Sequence, residues 1–327
     1  MGKKIKFIAT EEHFVTRKYL ETPELLSKLR ITRFPHLVDK LSNIGEQRIA
    51  EMDNDGVDMQ ILSLNSTGVE QLSGESAISV AKETNQVLAE AIKNYPTRLA
   101  GLAAIPTSVP EAAAEELNVA VTKYGFKGAV INGNICGKYL DNECCAPFLE
   151  QAEKLQVPIY LHPAPPPQGV TDIYYTGNFS PDVSVVLSTS AWGQHTEVGL
   201  HVMRMIVGGV FDRYPNLQVI VGHNGEFLPF MLDRANIYLP KKLTKLERNI
   251  AEYLRENVYY TCAAFYFLPS FLDLLMQVGA DRIMFAVDYP FASMKQGVDF
   301  IKNLPICDND KYRIAFENAE KLFKISL

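Results

Sequence analysis

Thiols are scarce and poorly spaced. The five cysteines, Cys136, Cys144, Cys145, Cys262 and Cys307, are an odd set without a Cys-x-x-Cys pair, which argues against a disulfide framework or a thiolate zinc cluster and leaves free thiols. Long apolar runs are also missing. The stretch from Met203 to Val210 is broken by Arg204 and by glycines and falls well short of the ~20 residues a membrane-crossing helix needs. Positive charge is not in excess: 32 Lys and Arg face 38 Asp and Glu, for a net charge of −6. With no basic cluster to offset that balance, nucleic acid is excluded as an expected partner, and so is a membrane. The opening MGKKIKFIATEEH has neither the apolar core nor the small-residue cleavage site of a secretory signal, so a cytoplasmic location is expected. A glycine-rich phosphate turn after the first strand is absent as well; TEEH stands there instead, which disfavours an open dinucleotide-binding sheet.

What the chain does have is apolar content for one large core, 47% hydrophobic and 21% charged over 327 residues, an ordinary globular balance. Short apolar or β-branched runs predict strands at 5–10, 57–62, 99–105, 128–131, 158–161, 218–222, 258–262 and 282–287. Between them, helical character falls at 45–54, 76–94, 110–124, 142–155, 197–213 and 268–278, with a closing helix at 308–322. Runs such as VIVG and RIMFAV are apolar on successive residues, as parallel strands covered on both faces require. The expected fold is therefore α/β, a (β/α)8 TIM barrel forming a single domain over 1–327. Two long insertions, 14–44 after strand one and 163–194 after strand five, emerge at the carboxyl ends of strands. That is where barrel active sites are built, so both are read as lid segments.

Strand-end positions carry an unusual set of side chains. Strand one runs into Glu11, Glu12 and His13; a period of two puts Glu11 and His13 on one side and Glu12 on the other. His162 ends strand five, His223 strand six and Asp288 strand eight. Carboxylates and imidazoles converging from several strands suit zinc, manganese or iron, and the lack of nearby thiolates argues against a structural zinc site. Three of the six histidines share this placement. His36, His195 and His201 do not, and are read as non-ligands.

These motifs bear a family resemblance. TEEHF resembles the Glu-x-His opening of hydroxybenzoate decarboxylases, in contrast to the His-x-His of hydrolytic relatives. RIAEMDNDGVDMQILSLN, YLHP, GGVFDRYPNLQVIVGHNGEFLPF, RIMFAVDYPF and ENAEKLF add further likeness over nearly the whole chain. Together they resemble the decarboxylase branch of the amidohydrolase superfamily related to aminocarboxymuconate-semialdehyde decarboxylase, including enzymes acting on 2,6-dihydroxybenzoate. The resemblance implies Glu11, His13, His162 and Asp288 as metal ligands for one divalent ion, zinc or manganese, with no organic cofactor. It further implies Asp288, His223 and Glu226 as catalytic residues, Arg234 near the substrate, a small aromatic carboxylic acid as substrate, and a homo-oligomer, dimer or tetramer.

The implied reaction is non-oxidative decarboxylation, with protonation of the carboxyl-bearing ring carbon by Asp288. A metal-dependent hydrolase acting on a lactone or amide is the alternative, since the same ligands can activate water. Two departures leave the substrate open: Ala263 and Ala264 stand where relatives often show Ser-Gly, and PAPPPQ after His162 is unlike the nearest relatives.

Overall fold

The computed structural model describes residues 5–327. Eight parallel strand positions form the frame: β1 (Ile8–Phe14), β2 (Met59–Leu64), β3 (Leu99–Gly101, resuming as Ala103–Ala104), β4 (Ala129–Asn132), β5 (Ile159–His162), β6 (Val219–Val221), β7 (Val258–Thr261) and β8 (Ile283–Met284). Every residue of β1 and β2 is buried, as expected when helices cover one face and the barrel interior fills the other.

The hydrogen-bonded sheets fall into two parts, β1 to the first half of β3 and the second half of β3 to β8. Both joins are bridged by backbone contacts. At Leu102 the third strand changes partner: Leu102 N still donates to Leu62 O at 2.9 Å, whereas Ala103 N donates to Gly128 O at 2.9 Å. At the other join, Thr10 N donates to Phe285 O (3.1 Å), Asp288 N to Glu11 O (2.8 Å) and His13 N to Tyr289 O (2.9 Å). Glu12, on the opposite side of the chain from Glu11, seals this join by accepting from Val287 N at 2.8 Å and Tyr289 N at 3.2 Å. This is the barrel expected from the βα alternation.

Helices fill the connections. The helix Gly74–Asn94 buries Ala77, Val80, Ala81, Thr84, Leu88 and Ala91, one stripe at helical spacing. Helix Pro110–Thr122 starts on a proline, which loses no hydrogen bond at a first-turn position. Outside the two insertions, three helices of seven residues or more lie beyond the sequence expectation: α1 (Leu228–Tyr238), α2 (Ile250–Glu256) and α3 (Met294–Asn303). Strand one also differs, starting three residues late and running through Glu11, Glu12 and His13 instead of stopping before them. Its register with β2 shifts between Ala9 and Glu12, a bulge of the kind that re-aims side chains beside a site.

The insertion after β1 builds its own base, with Tyr19, Leu25, Leu29, Ile31 and Leu41 packing on Leu64, Val69, Leu72 and Val80 in a second apolar cluster. The insertion after β5 folds into two short helices, Gln168–Tyr174 and Pro181–Ser188. Among the described residues no helix is long and apolar enough to cross a membrane, and all five cysteines are free.

Candidate metal centre

The bulged end of β1 delivers Glu11 and His13 to the barrel mouth, the last residue of β5 delivers His162, and the turn after β8 delivers Asp288. One ligand atom from each lies within 4.8 Å of the others. The Glu11 carboxylate is held on one side only: Oε2 accepts from Tyr160 Oη and from Thr261 Oγ1, the latter at 3.1 Å. Its Oε1 has no hydrogen-bond partner, and neither do His13 Nε2 and His162 Nδ1, although all three are buried. His13 Nε2 lies 3.1 Å from Asp288 Oδ1, close enough to share an ion but without hydrogen-bond geometry.

Unpaired buried polar atoms cost ~1–3 kcal/mol each. Glu11 Oε1 and His13 Nε2, with His162 Nε2 3.5 Å from Glu11 Oε1, come from different strands and fit a divalent cation. Burial raises the Glu11 carboxyl above its ordinary range and pushes His162 well below its own, where it stays neutral with a free lone pair. Neutral imidazole is the ligand form, and a cation would restore the carboxylate charge that burial opposes. Gly222, just after β6, makes room for this arrangement: a Cβ there would sit 2.5 Å from Glu11 Oε2.

A second constellation adjoins the first. His223 Nδ1 meets Glu226 Oε1 at 2.6 Å, and its Nε2 faces Asp288 Oδ2 at 3.7 Å and Glu11 Oε1 at 3.8 Å. Burial opposes a charge on His223, but the carboxylates of Glu226 and Glu11 outweigh it and hold the ring well above its usual range. Burial likewise pushes Glu226 and Asp288 up, and histidines overcome it in both cases: His223 and His195 bring Glu226 below the carboxylate range, and His13 and His223 do the same for Asp288. His223, Asn224, Glu226, Phe227 and Asp288 all adopt positive φ, a costly backbone state that clusters at functional sites. Asn224 fixes the first turn by donating to Phe265 O at 2.8 Å and Ser270 Oγ at 2.9 Å.

Above these groups opens a cavity of about 540 Å³. His162, His223 and Asp288 lie at its floor; Lys28, Ile31, Arg33 and Phe34 come from the first insertion, Val186, Ser190 and Gln194 from the second, and Phe291 from beyond β8. Apolar faces from Ile31, Phe34, Val186 and Phe291 beside the cationic Lys28 and Arg33 suit a flat organic acid. Both insertions thus reach the site, as the lid reading expects.

Three expectations are corrected or extended. Arg234 does not reach this cavity: α1 buries Leu228 and Leu232, which turns residue 234 outward, and its guanidinium lies over the Tyr238 ring at 4.8 Å. His195, read as a non-ligand, places Nδ1 2.8 Å from Glu226 Oε2. His201 instead accepts from Leu140 N at 2.9 Å, a structural role. No local motif marks His195, whose partner is distant in sequence.

A parallel βα barrel with an oxygen-and-imidazole cradle at the carboxyl ends of its strands defines a metal-dependent barrel enzyme. The amidohydrolase family model matches residues 13–325, and the chain belongs to that family. It is 34% identical over 332 residues to the gamma-resorcylate decarboxylase of Polaromonas sp. strain JS666, covering 98% of each chain. The crystal structure of a dihydroxybenzoic acid decarboxylase from Polaromonas sp. JS666, with bound manganese and the inhibitor 2-nitroresorcinol, superposes with a TM-score of 0.89 at 33% identity, covering 98% of this chain and 97% of that one. A 2,6-dihydroxybenzoate decarboxylase complexed with 2,6-dihydroxybenzoate gives a TM-score of 0.89 at 32% identity, covering 98% and 100%.

Proposed function

We propose that this protein is a metal-dependent, non-oxidative decarboxylase of a hydroxylated aromatic acid, with 2,6-dihydroxybenzoate and related dihydroxybenzoates as the first candidates. The observation that carries the reading is the position of Asp288, which belongs to the Glu11–His13–His162–Asp288 cradle and also lines the cavity beside His223. The full-length likeness to decarboxylases that bind such acids supports it. Glu11, His13, His162 and Asp288 would hold one divalent ion, manganese or zinc, which would supply positive charge to bind an acidic substrate.

The chain's own groups manage the proton. His223 Nε2 lies 3.7 Å from Asp288 Oδ2, and the carboxylates of Glu226 and Glu11 favour a proton on His223 while His13 and His223 favour the ionised form of Asp288. Passing that proton to Asp288, and from there to the carboxyl-bearing ring carbon, makes the carbon tetrahedral. The bond to the carboxylate then breaks, its electron pair restores the aromatic ring, and carbon dioxide leaves; solvent returns the proton. Glu226 accepts from Nδ1 of His223 and so aims Nε2 at Asp288.

The chain functions in this reading as one barrel domain in the cytoplasm and assembles as a homo-oligomer. Support for assembly comes from α1, which leaves Phe230 and Ile237 78% and 68% exposed, a surface monomers rarely present. The test is a panel of hydroxybenzoates assayed for carbon dioxide release beside lactones and amides assayed for hydrolysis, with manganese- or zinc-loaded protein. Hydrolysis without carbon dioxide release would replace this reading with the hydrolase alternative.

A further inference from the structure

Glu226 is shared between two imidazoles. Its Oε1 takes His223 at 2.6 Å and its Oε2 takes Nδ1 of His195 at 2.8 Å. The far nitrogen of His195, Nε2, lies 3.2 Å from the carbonyl oxygen of Ser190. Ser190 belongs to the second insertion and lines the cavity. One ring therefore spans from the carboxylate that orients the inner histidine to the backbone of a cavity wall. Packing keeps it there: the ring meets His223 edge-on at 4.7 Å and Phe265 at 5.3 Å. Gly199, one turn further along the same helix, Gly193–Val207, lets that helix close on the HNGE turn, since a Cβ at 199 would lie 2.5 Å from Glu226 O.

We propose that His195 is a positioning residue which couples the second insertion to the His223–Glu226 pair: its Nδ1 fixes the Glu226 carboxylate, and its Nε2 latches the Ser190 segment over the substrate. A carboxylate bonded through one oxygen only can rotate, and a rotated Glu226 no longer holds the His223 ring with Nε2 aimed at Asp288. The same ring gives the wall a fixed point near the chemistry, so wall closure and imidazole alignment occur together. The kinetic part of this proposal rests on the decarboxylase reading; the structural part does not.

Both partners are acceptors, so the two contacts are hydrogen bonds together only in the ring form with an N–H at each nitrogen. They can be tested separately, because an Asn amide reproduces an Nδ1 donor and a Gln amide an Nε2 donor. Manganese-loaded full-length His195→Phe, His195→Asn and His195→Gln are compared with wild type in three measurements: kcat and KM for 2,6-dihydroxybenzoate, manganese content, and amide hydrogen exchange across residues 188–194. His195→Phe should keep its metal and lose about 10–100-fold in kcat, the usual effect of removing a group that orients another. His195→Asn should recover at least about tenfold of that loss, yet match His195→Phe in faster exchange across 188–194 and in raised KM. His195→Gln should show the reverse, low kcat with exchange near wild type. Equal kcat losses in all three variants with unchanged exchange would overturn the proposal, leaving only a packing role. Should His195→Phe fail to fold, the opposed signatures of Asn and Gln decide alone. A wild-type protein that releases no carbon dioxide defeats the decarboxylase reading, while the exchange pattern still decides whether His195 latches the wall.

Discussion

Glu11 Oε1, His13 Nε2 and His162 Nδ1 are buried without a hydrogen-bond partner, and each belongs to a residue of the cradle. A core assembled for stability alone would satisfy such atoms or replace them with apolar ones. His162→Ala should therefore lower bound metal and activity together while leaving the fold intact; elemental analysis and circular dichroism check this, and full metal content with normal turnover would remove His162 from the cradle. Glu226→Gln keeps the shape of the side chain but removes its charge. With a raised His223 and a lowered Glu226 interacting across 2.6 Å, the loss should appear in kcat, at about 100-fold, with KM and metal content near wild type. A folded Glu226→Gln variant that cannot retain its ion would assign the pair to metal support instead. The His223→Asn, Glu226→Gln double variant should be little worse than either single one, because residues acting as a unit are non-additive.

Strands and turns position these atoms, and two such elements are open to test. Gly222 follows β6, and an added methyl there would meet Glu11 Oε2 at 2.5 Å. Gly222→Ala is expected to weaken metal binding by about 10–100-fold with little change in secondary structure; unaltered affinity would show that Glu11 can move without cost. The loop after β2 carries Glu70, fully buried, with Oε1 accepting from Asn132 N at 3.0 Å. Burial pushes its carboxyl up to about 8. From the ordinary carboxylate range up to that value the folded state keeps a proton the unfolded state has lost. Stability therefore falls as pH rises across the window, by about 1.4 kcal/mol per pH unit for one proton. Glu70→Gln removes this dependence, so its melting temperature relative to wild type should climb between pH 5 and pH 8; a constant difference would show that Glu70 is ionised in the fold.

The elements also show why some features were legible in the sequence and others were not. Glu11, His13, His162, His223 and Asp288 were readable as a set because they bring ligand chemistry to apolar runs, although the first strand runs on through Glu11 and His13, and Glu12 followed from simple alternation. Helix α1 was hidden because its apolar residues do not form one stripe: Leu228 and Leu232 face inward, while Phe230, Met231 and Ile237 are exposed. Helix α3 was masked by Gly297, a poor helix former that is needed where a Cβ would lie 2.6 Å from Tyr266 Oη. The His195–Glu226 contact joins two segments separated by a helix and a strand, and no spacing rule reaches that far.

At the scale of the whole molecule, the metal links stability to function. The cradle draws on β1, β5 and the turn after β8, so an ion bound there ties the closing strand of the barrel to its middle. A ligand present at about 100 times its Kd stabilises the folded state by about 2.7 kcal/mol. Chelation should accordingly lower the melting temperature by roughly 5 °C and abolish turnover, with both restored by manganese; activity that survives chelation would rule out a metal-dependent reaction. The central claim is tested most directly by turning over the dihydroxybenzoate panel in deuterated water with manganese-loaded protein. The expected result is carbon dioxide together with a phenolic product carrying one deuterium at the carbon that bore the carboxylate, at a rate lost in Asp288→Asn. No carbon dioxide from any hydroxybenzoate by metal-loaded, folded protein would contradict the account.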